Sequence, residues 1–149
     1  PTVVGWRSDR GWRNVDHLHH GSPDFADGAE KYEGGMVNFP SLYAMGEAVQ
    51  MILEIGPEQI EQRVLESAEK CAEILEAAGG EITYRGSPIL AARFEGVDAP
   101  TLAQGLKKDG VFVSARHGRL RVSTHFYNNS DDLQRLREGL HKQISGAKI

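Results

Sequence analysis

Cysteine is nearly absent: Cys71 is the only one in 149 residues, so no internal disulfide can form, and a reducing setting such as the cytoplasm is expected. No apolar run approaches the ~20 residues that a bilayer demands, which argues against a membrane partner. The first residues, Pro1-Thr2-Val3-Val4-Gly5-Trp6, show neither the basic nor the apolar region of a signal peptide. Lysines and arginines form no extended stripe, and the net charge is -4, so nucleic acid is not the expected partner. What remains is a soluble globular composition, 40% hydrophobic and 26% charged, in a chain long enough for one domain with a real core.

Residues 1–38 lack periodicity. They carry both tryptophans, three of the six histidines (His17, His19, His20) and many glycines and aspartates. Irregular segments of this length are uncommon inside a compact domain, and the chain begins abruptly, as if cut from something longer. Trp6 and Trp12 alternate with Arg7, Arg10 and Arg13. Such interleaving can bind nucleic acid, but packing of the indoles against a partner domain, with an exposed apolar patch here, is the expectation in an acidic chain. The run His17-Leu18-His19-His20, with Asp16 and Asp24 nearby, matches no strong zinc spacing. No metal site is expected.

From residue 40 the pattern becomes regular. Ser41 can cap a helix to about Ile55, with Leu42, Met45, Val49 and Ile52 on one face. Gly56 interrupts it, and Pro57 suits the first turn of a second helix. There Ile60, Val64, Ala68, Cys71, Leu75 and Ala78 form an apolar stripe ended by Gly79-Gly80. Cys71 on this stripe reads as a small buried hydrophobe. Strands are expected at 82–84, 89–94, 111–114 and 120–126, with a short helix capped by Asp98 and closed by Gly110 between the middle two. A final helix follows Asn129 or Ser130 to about Ile144, with Asp131 and Asp132 at its positive end. The order α-α-β-β-α-β-β-α, with a turn at Arg116–Arg119 too short for a parallel crossover, predicts an α+β fold: an antiparallel sheet covered by helices mainly on one face.

The last strand carries the most information. At a period of two, Leu120, Val122, Thr124 and Phe126 point one way, and Arg121, Ser123 and His125 the other. An arginine held by a strand suits a planar carboxylate, because its rigid fork meets both oxygens. A solvated face of an ordinary antiparallel sheet shows the same alternation.

Two stretches resemble a known family. Arg116-His117-Gly118-Arg119-Leu120-Arg121-Val122-Ser123-Thr124-His125-Phe126-Tyr127-Asn128-Asn129 and the helix start after it resemble the C-terminal signature of class V aminotransferases. These are fold-type I pyridoxal-phosphate enzymes that include cysteine desulfurases and isopenicillin-N-epimerase-like proteins. Tyr32-Glu33-Gly34-Gly35-Met36-Val37-Asn38-Phe39-Pro40-Ser41 resembles the family's E-G-T-x-N turn into its long interdomain helix. The resemblance covers about residues 30–145. It implies that residues 1–38 end the large cofactor-binding domain and that residues 39–149 form the small C-terminal domain. It further implies an amino-acid substrate, a large domain of the same enzyme as partner, and a homodimer.

Carried over by position, Arg121 is the arginine that binds the substrate α-carboxylate, with Arg116 and His125 as further substrate-binding candidates. Gly35, Met36 and Asn38 fall in the turn that approaches the cofactor phosphate across the dimer interface. Met36 departs from the family's threonine, so backbone N–H groups or Asn38 would make any phosphate contact. No catalytic residue is assigned. None of Lys31, Lys70, Lys107, Lys108, Lys142 or Lys148 stands in the family's Schiff-base motif, so the chain alone is expected to be inactive. The loop 114–119 lacks the nucleophilic cysteine that desulfurases carry before the strand arginine, which points to the epimerase and aminotransferase branch. The alternative is a non-catalytic α+β ligand-binding or regulatory module, because fold alone does not decide function.

Overall fold

The structure, a computed structural model, describes residues 4–17 and 21–145. It divides into two compact units, Pro1–Val49 and Gln50–Ile149. Leu18, His19 and His20 lie outside the described residues, and so does the side chain of His17.

The first unit is built from short 3-10 turns at Trp6–Ser8, Val15–His17 and Ala29–Tyr32. Polar contacts fasten them where an apolar core is thin. Arg10 grips both carboxylate oxygens of Asp27, at 2.8 and 3.0 Å, and the carbonyl of Phe25 at 3.1 Å. Asp9 accepts from the amides of Gly11 and Asp24 at 2.7 and 3.0 Å. Trp6 and Trp12 meet edge to face at 5.3 Å, and Arg7 and Arg13 lie over the Trp12 ring. Neither indole is buried. Helix α1, Phe39–Ile55, leaves this unit and crosses the boundary between the two. It begins two residues before Ser41: Asn38 caps it, its Oδ1 accepting from the Ser41 amide at 3.3 Å and its carbonyl from Leu42 at 3.2 Å. The single apolar face expected of it does not form a packed stripe, since none of its residues is buried.

The second unit contains α2 (Pro57–Ala77), β1 (Gly80–Ile82), β2 (Ile89–Phe94), α3 (Ala99–Lys108), β3 (Ser114–Arg116), β4 (Arg119–Ser123) and α4 (Ser130–Ser145). The strands form one antiparallel sheet in the order β1-β2-β4-β3. Its inner face, Leu90, Ala92, Phe94, Leu120 and Val122, packs on Cys71, Ala72, Ile74 and Leu75 of α2, Leu102 and Leu106 of α3, and Leu136 and Leu140 of α4. This is the α+β arrangement expected of the sequence. Local chemistry places the ends. Asp98 accepts from the Thr101 amide at 3.0 Å and caps α3. Asn129 Oδ1 accepts from the amides of Asp131 and Asp132 at the start of α4. His117 and Gly118 both have positive φ, 49° and 71°, the geometry that lets two residues close a hairpin in register with strand twist.

Three of the four strands differ in their limits from the sequence expectation, β1 ending at Ile82, β3 at Arg116 and β4 starting at Arg119. β1 starts at Gly80 rather than residue 82, because Gly80 pairs with Phe94 and lacks a side chain: a Cβ there would lie 2.8 Å from the Leu75 carbonyl oxygen and 2.9 Å from the Phe94 ring. β3 starts at Ser114 rather than residue 111. The Val111 amide bonds the Leu106 carbonyl at the end of α3, and ladder pairing begins only at Ser114–Arg121. β4 ends at Ser123 rather than Phe126, since the His125 amide turns to Asn128 Oδ1 at 2.8 Å. No described helix is long and apolar enough to cross a membrane.

Candidate functional site

The open face of the sheet holds Arg121, Arg119, Arg116, Arg93, Ala91, Ser114 and Ser123, all exposed or half-buried. Arg121 occupies the middle of β4, between Ala91 on β2 and Ser114 on β3. Its Nε donates to Ser114 Oγ at 3.0 Å. Its terminal nitrogens make no hydrogen bond among the described residues and enter no ion pair. The strand fixes the backbone and Ser114 fixes the plane of the guanidinium, so the outer edge of the fork is presented for a two-point contact with a carboxylate.

Arg116 shares this face and pairs in register with Arg119, at the hairpin end of the sheet. His125 does not continue the face as the period of two predicts. It lies past the end of β4, in an aromatic cluster whose rings are 4.7 Å (Phe126) and 4.6 Å (Tyr127) from its own. That end of β4 is pinned to α2: Arg63 Nε donates to the Phe126 carbonyl at 2.7 Å, and the buried Thr124 hydroxyl lies 3.3 Å from the carbonyls of Val64 and Pro88. Ser114, Arg119 and Arg93 join the expected residues on this face. The same alternation that placed Arg121 would have found Arg119, two residues before it. Ser114 and Arg93 emerge only from the register.

The Gly34-Gly35 turn belongs to the first unit. It lies directly against Gly5, where an added Cβ would collide with the Gly34 carbonyl, and a Cβ on Gly35 would meet Trp6 Nε1 at 3.2 Å. The ion pair Arg7–Glu33, 2.6 Å, fastens the same turn. Met36 is 84% exposed. Asn38 commits its side-chain oxygen to the Ser41 amide and its carbonyl to Leu42, and Pro40 has no N–H, which leaves the Asn38 side-chain nitrogen and the Phe39 amide to meet an anion.

Lys31 reaches the Asp27 carbonyl at 3.4 Å and the Tyr32 ring, Lys142 pairs with Asp109, and Lys70, Lys107 and Lys108 are exposed. Lys148 lies outside the described residues. Cys71 is 3% exposed in the core, and burial pushes its thiol up to about 11, so it is no nucleophile. Among the described residues no three His, Cys, Asp or Glu side chains are grouped to hold a metal.

The second unit is thus an α+β domain, a helix-backed antiparallel sheet with a braced arginine on its open face. Residues 10–136 match the family described as Aminotransferase class-V, and the chain belongs to that family. A protein named "Probable cysteine desulfurase" from Halalkalibacterium halodurans is 26% identical over 128 residues, 75% of this chain and 32% of the relative. One of the same name from Xylella fastidiosa is 28% identical over 165 residues, 88% of this chain and 39% of the relative. The chain thus spans about a third to two-fifths of the length of these curated relatives. Among solved structures, the cysteine desulfurase of Thermococcus onnurineus NA1 superposes with a TM-score of 0.75 at 16% identity, covering 98% of this chain and 40% of that one. The cystine C-S lyase C-DES, solved with its product cysteine persulfide, gives 0.72 at 19% identity, covering 94% and 38%. At these identities the likeness concerns the fold.

Proposed function

We propose that this chain is the C-terminal part of a pyridoxal-phosphate-dependent enzyme of the class V aminotransferase type, acting on an amino acid, and that Arg121 binds the substrate α-carboxylate. Residues 1–38 then end the large cofactor-binding domain, and residues 39–149 are the small domain. The observation that carries this reading is the braced Arg121 on the open sheet face, within the segment matched to the family. Arg116 and His125 are assigned to the periphery of the substrate site. Gly35, Met36 and Asn38 are assigned to the cofactor phosphate, through backbone N–H groups and the Asn38 amide.

Bound pyridoxal phosphate supplies the electron sink for breaking bonds at the substrate Cα. This chain's part is orientation. Two-point binding of the carboxylate by Arg121 would fix rotation about the substrate's Cα–N bond, and with it which of the other Cα bonds is aligned for cleavage. The lysine and the rest of the cofactor cup are assigned to the large domain of the same enzyme, in a cytoplasmic homodimer. The loop 114–119 has no cysteine and Cys71 is buried. Both favour transamination, epimerisation or lyase chemistry over a persulfide carried on this chain.

The test is Arg121→Ala in the intact enzyme. Loss of a charged, two-point contact is expected to lower kcat/KM by on the order of 30- to 1,000-fold, about 2–4 kcal/mol, mainly through KM. Unchanged kinetics would refute the assignment.

A further inference from the structure

Three arginines stand in a row across the open face of the sheet. Arg116 of β3 pairs with Arg119 of β4, and one step beyond the Ala92–Leu120 pair sets Arg93 of β2 beside Arg119 on its other side. Directly opposed side chains on neighbouring strands have Cβ atoms about 4.5–5.5 Å apart, and like charges there repel. The one acid in register with the row is Glu81, opposite Arg93 on β1. Yet none of Glu81, Arg93, Arg116 or Arg119 enters an ion pair among the described residues.

A second observation is independent of the register. Nη1 of Arg119 is buried and has no hydrogen-bond partner among the described residues. Buried polar groups, charged ones above all, are ordinarily satisfied. Arg119, Arg93 and the His117–Gly118 turn line a concavity of about 380 Å³ whose apolar side is Phe94 and Val97. A neighbouring apolar wall strengthens charge–charge attraction within such a hollow.

We propose that Arg93, Arg119 and the His117–Gly118 turn form an oxyanion-binding site that takes a carboxylate or phosphate group. An anion there relieves the repulsion along the row, and turning the Arg119 guanidinium toward it gives the buried nitrogen a partner. The site is distinct from Arg121, which lies two residues further along β4 on the same face, about 6.6 Å away by strand rise. Its anion has two possible sources with the same chemistry: the far acidic group of a ligand already held at Arg121, or a separate small anion. Only the first source rests on the role assigned to Arg121.

The test titrates the intact enzyme with inorganic phosphate, butyrate and glutarate at low ionic strength, by calorimetry and by NMR of backbone amides and arginine Nε–H groups. Wild type is compared with Arg119→Gln, Arg93→Gln and Arg121→Gln, each checked for native circular dichroism. Binding of phosphate or glutarate is expected to shift the Gly118 amide and the Arg119 Nε–H, and to weaken at least tenfold in Arg119→Gln and in Arg93→Gln. If glutarate binds at least tenfold tighter than butyrate and Arg121→Gln abolishes that advantage, one ligand spans both arginines. If phosphate binds equally well to Arg121→Gln, the anion is a separate molecule. The proposal is overturned if neither phosphate nor glutarate binds the wild type, or if binding is indifferent to both the Arg119 and Arg93 substitutions. The wild-type shift map stands as a test even where a variant misfolds, since shifts confined to other regions would also overturn it.

Discussion

Ser114 Oγ accepts a hydrogen bond from Nε of Arg121 across the β3–β4 pair, at 3.0 Å. This contact uses the one guanidinium nitrogen that a two-point carboxylate grip through Nη1 and Nη2 leaves over. On the role proposed for Arg121, Ser114→Ala in the intact enzyme is therefore expected to raise KM for the amino acid by roughly three- to tenfold while kcat stays within about twofold, because binding is loosened without removal of the charge. A fall in kcat at constant KM would show that Ser114 acts otherwise.

Leu120 is fully buried on β4's inner face, in the core that also takes in residues of α2, α3 and α4. Leu120→Ala is expected to cost about 2–5 kcal/mol through lost transfer energy and the cavity left behind. Urea denaturation followed by circular dichroism measures it. A midpoint equal to wild type would mean that the core closes over the gap.

Cys71 should resist thiol reagents in the folded protein, since it is buried in α2 and its thiol is held up to about 11 by that burial. A chromogenic disulfide reagent near neutral pH should label it only after denaturant is added. Stoichiometric labelling without denaturant would contradict the packing described for α2.

Acid should destabilise the second unit through three helix-end carboxylates. Hydrogen bonds from Thr101 hold Asp98 below the usual carboxylate range, Lys142 and Gln143 do so for Asp109, and the Asn128 side chain and Asn129 amide do so for Asp132. Because the folded values are depressed, this stabilisation is fully present above the unfolded value of about 4 and is lost as pH falls through the folded values. The urea midpoint should be flat above about pH 5 and drop below about pH 4. Asp98→Asn and Asp132→Asn should lower the plateau and flatten the drop. An acid limb unaltered in both would place the titration elsewhere.

Elements that announce their own ends were readable in advance. Asp98 before Ala99-Pro100, Gly56 before Pro57 and the two-residue turn at His117-Gly118 each fix an end by side-chain or backbone chemistry that acts over a few residues. Strand limits that depend on a partner were not. Val111–Val113 looks like a strand by composition, yet the Val111 amide is taken by α3. His125 follows the alternation of β4, but the Asn128 side chain captures its amide and ends the strand. The site divides the same way. Arg121 could be read from periodicity and resemblance, whereas its brace Ser114 and the row through Arg93 exist only once the strands are in register.

The seventeen-residue helix that follows Asn38 displays Phe39, Leu42, Tyr43, Met45, Val49, Met51, Ile52, Leu53 and Ile55 to solvent, on every side rather than along one stripe. A helix greasy all round gains from any surface that removes it from water. Purified by itself, this chain should therefore be a sticky molecule. Its hydrodynamic size should grow with concentration, and salting-out ions should precipitate it early.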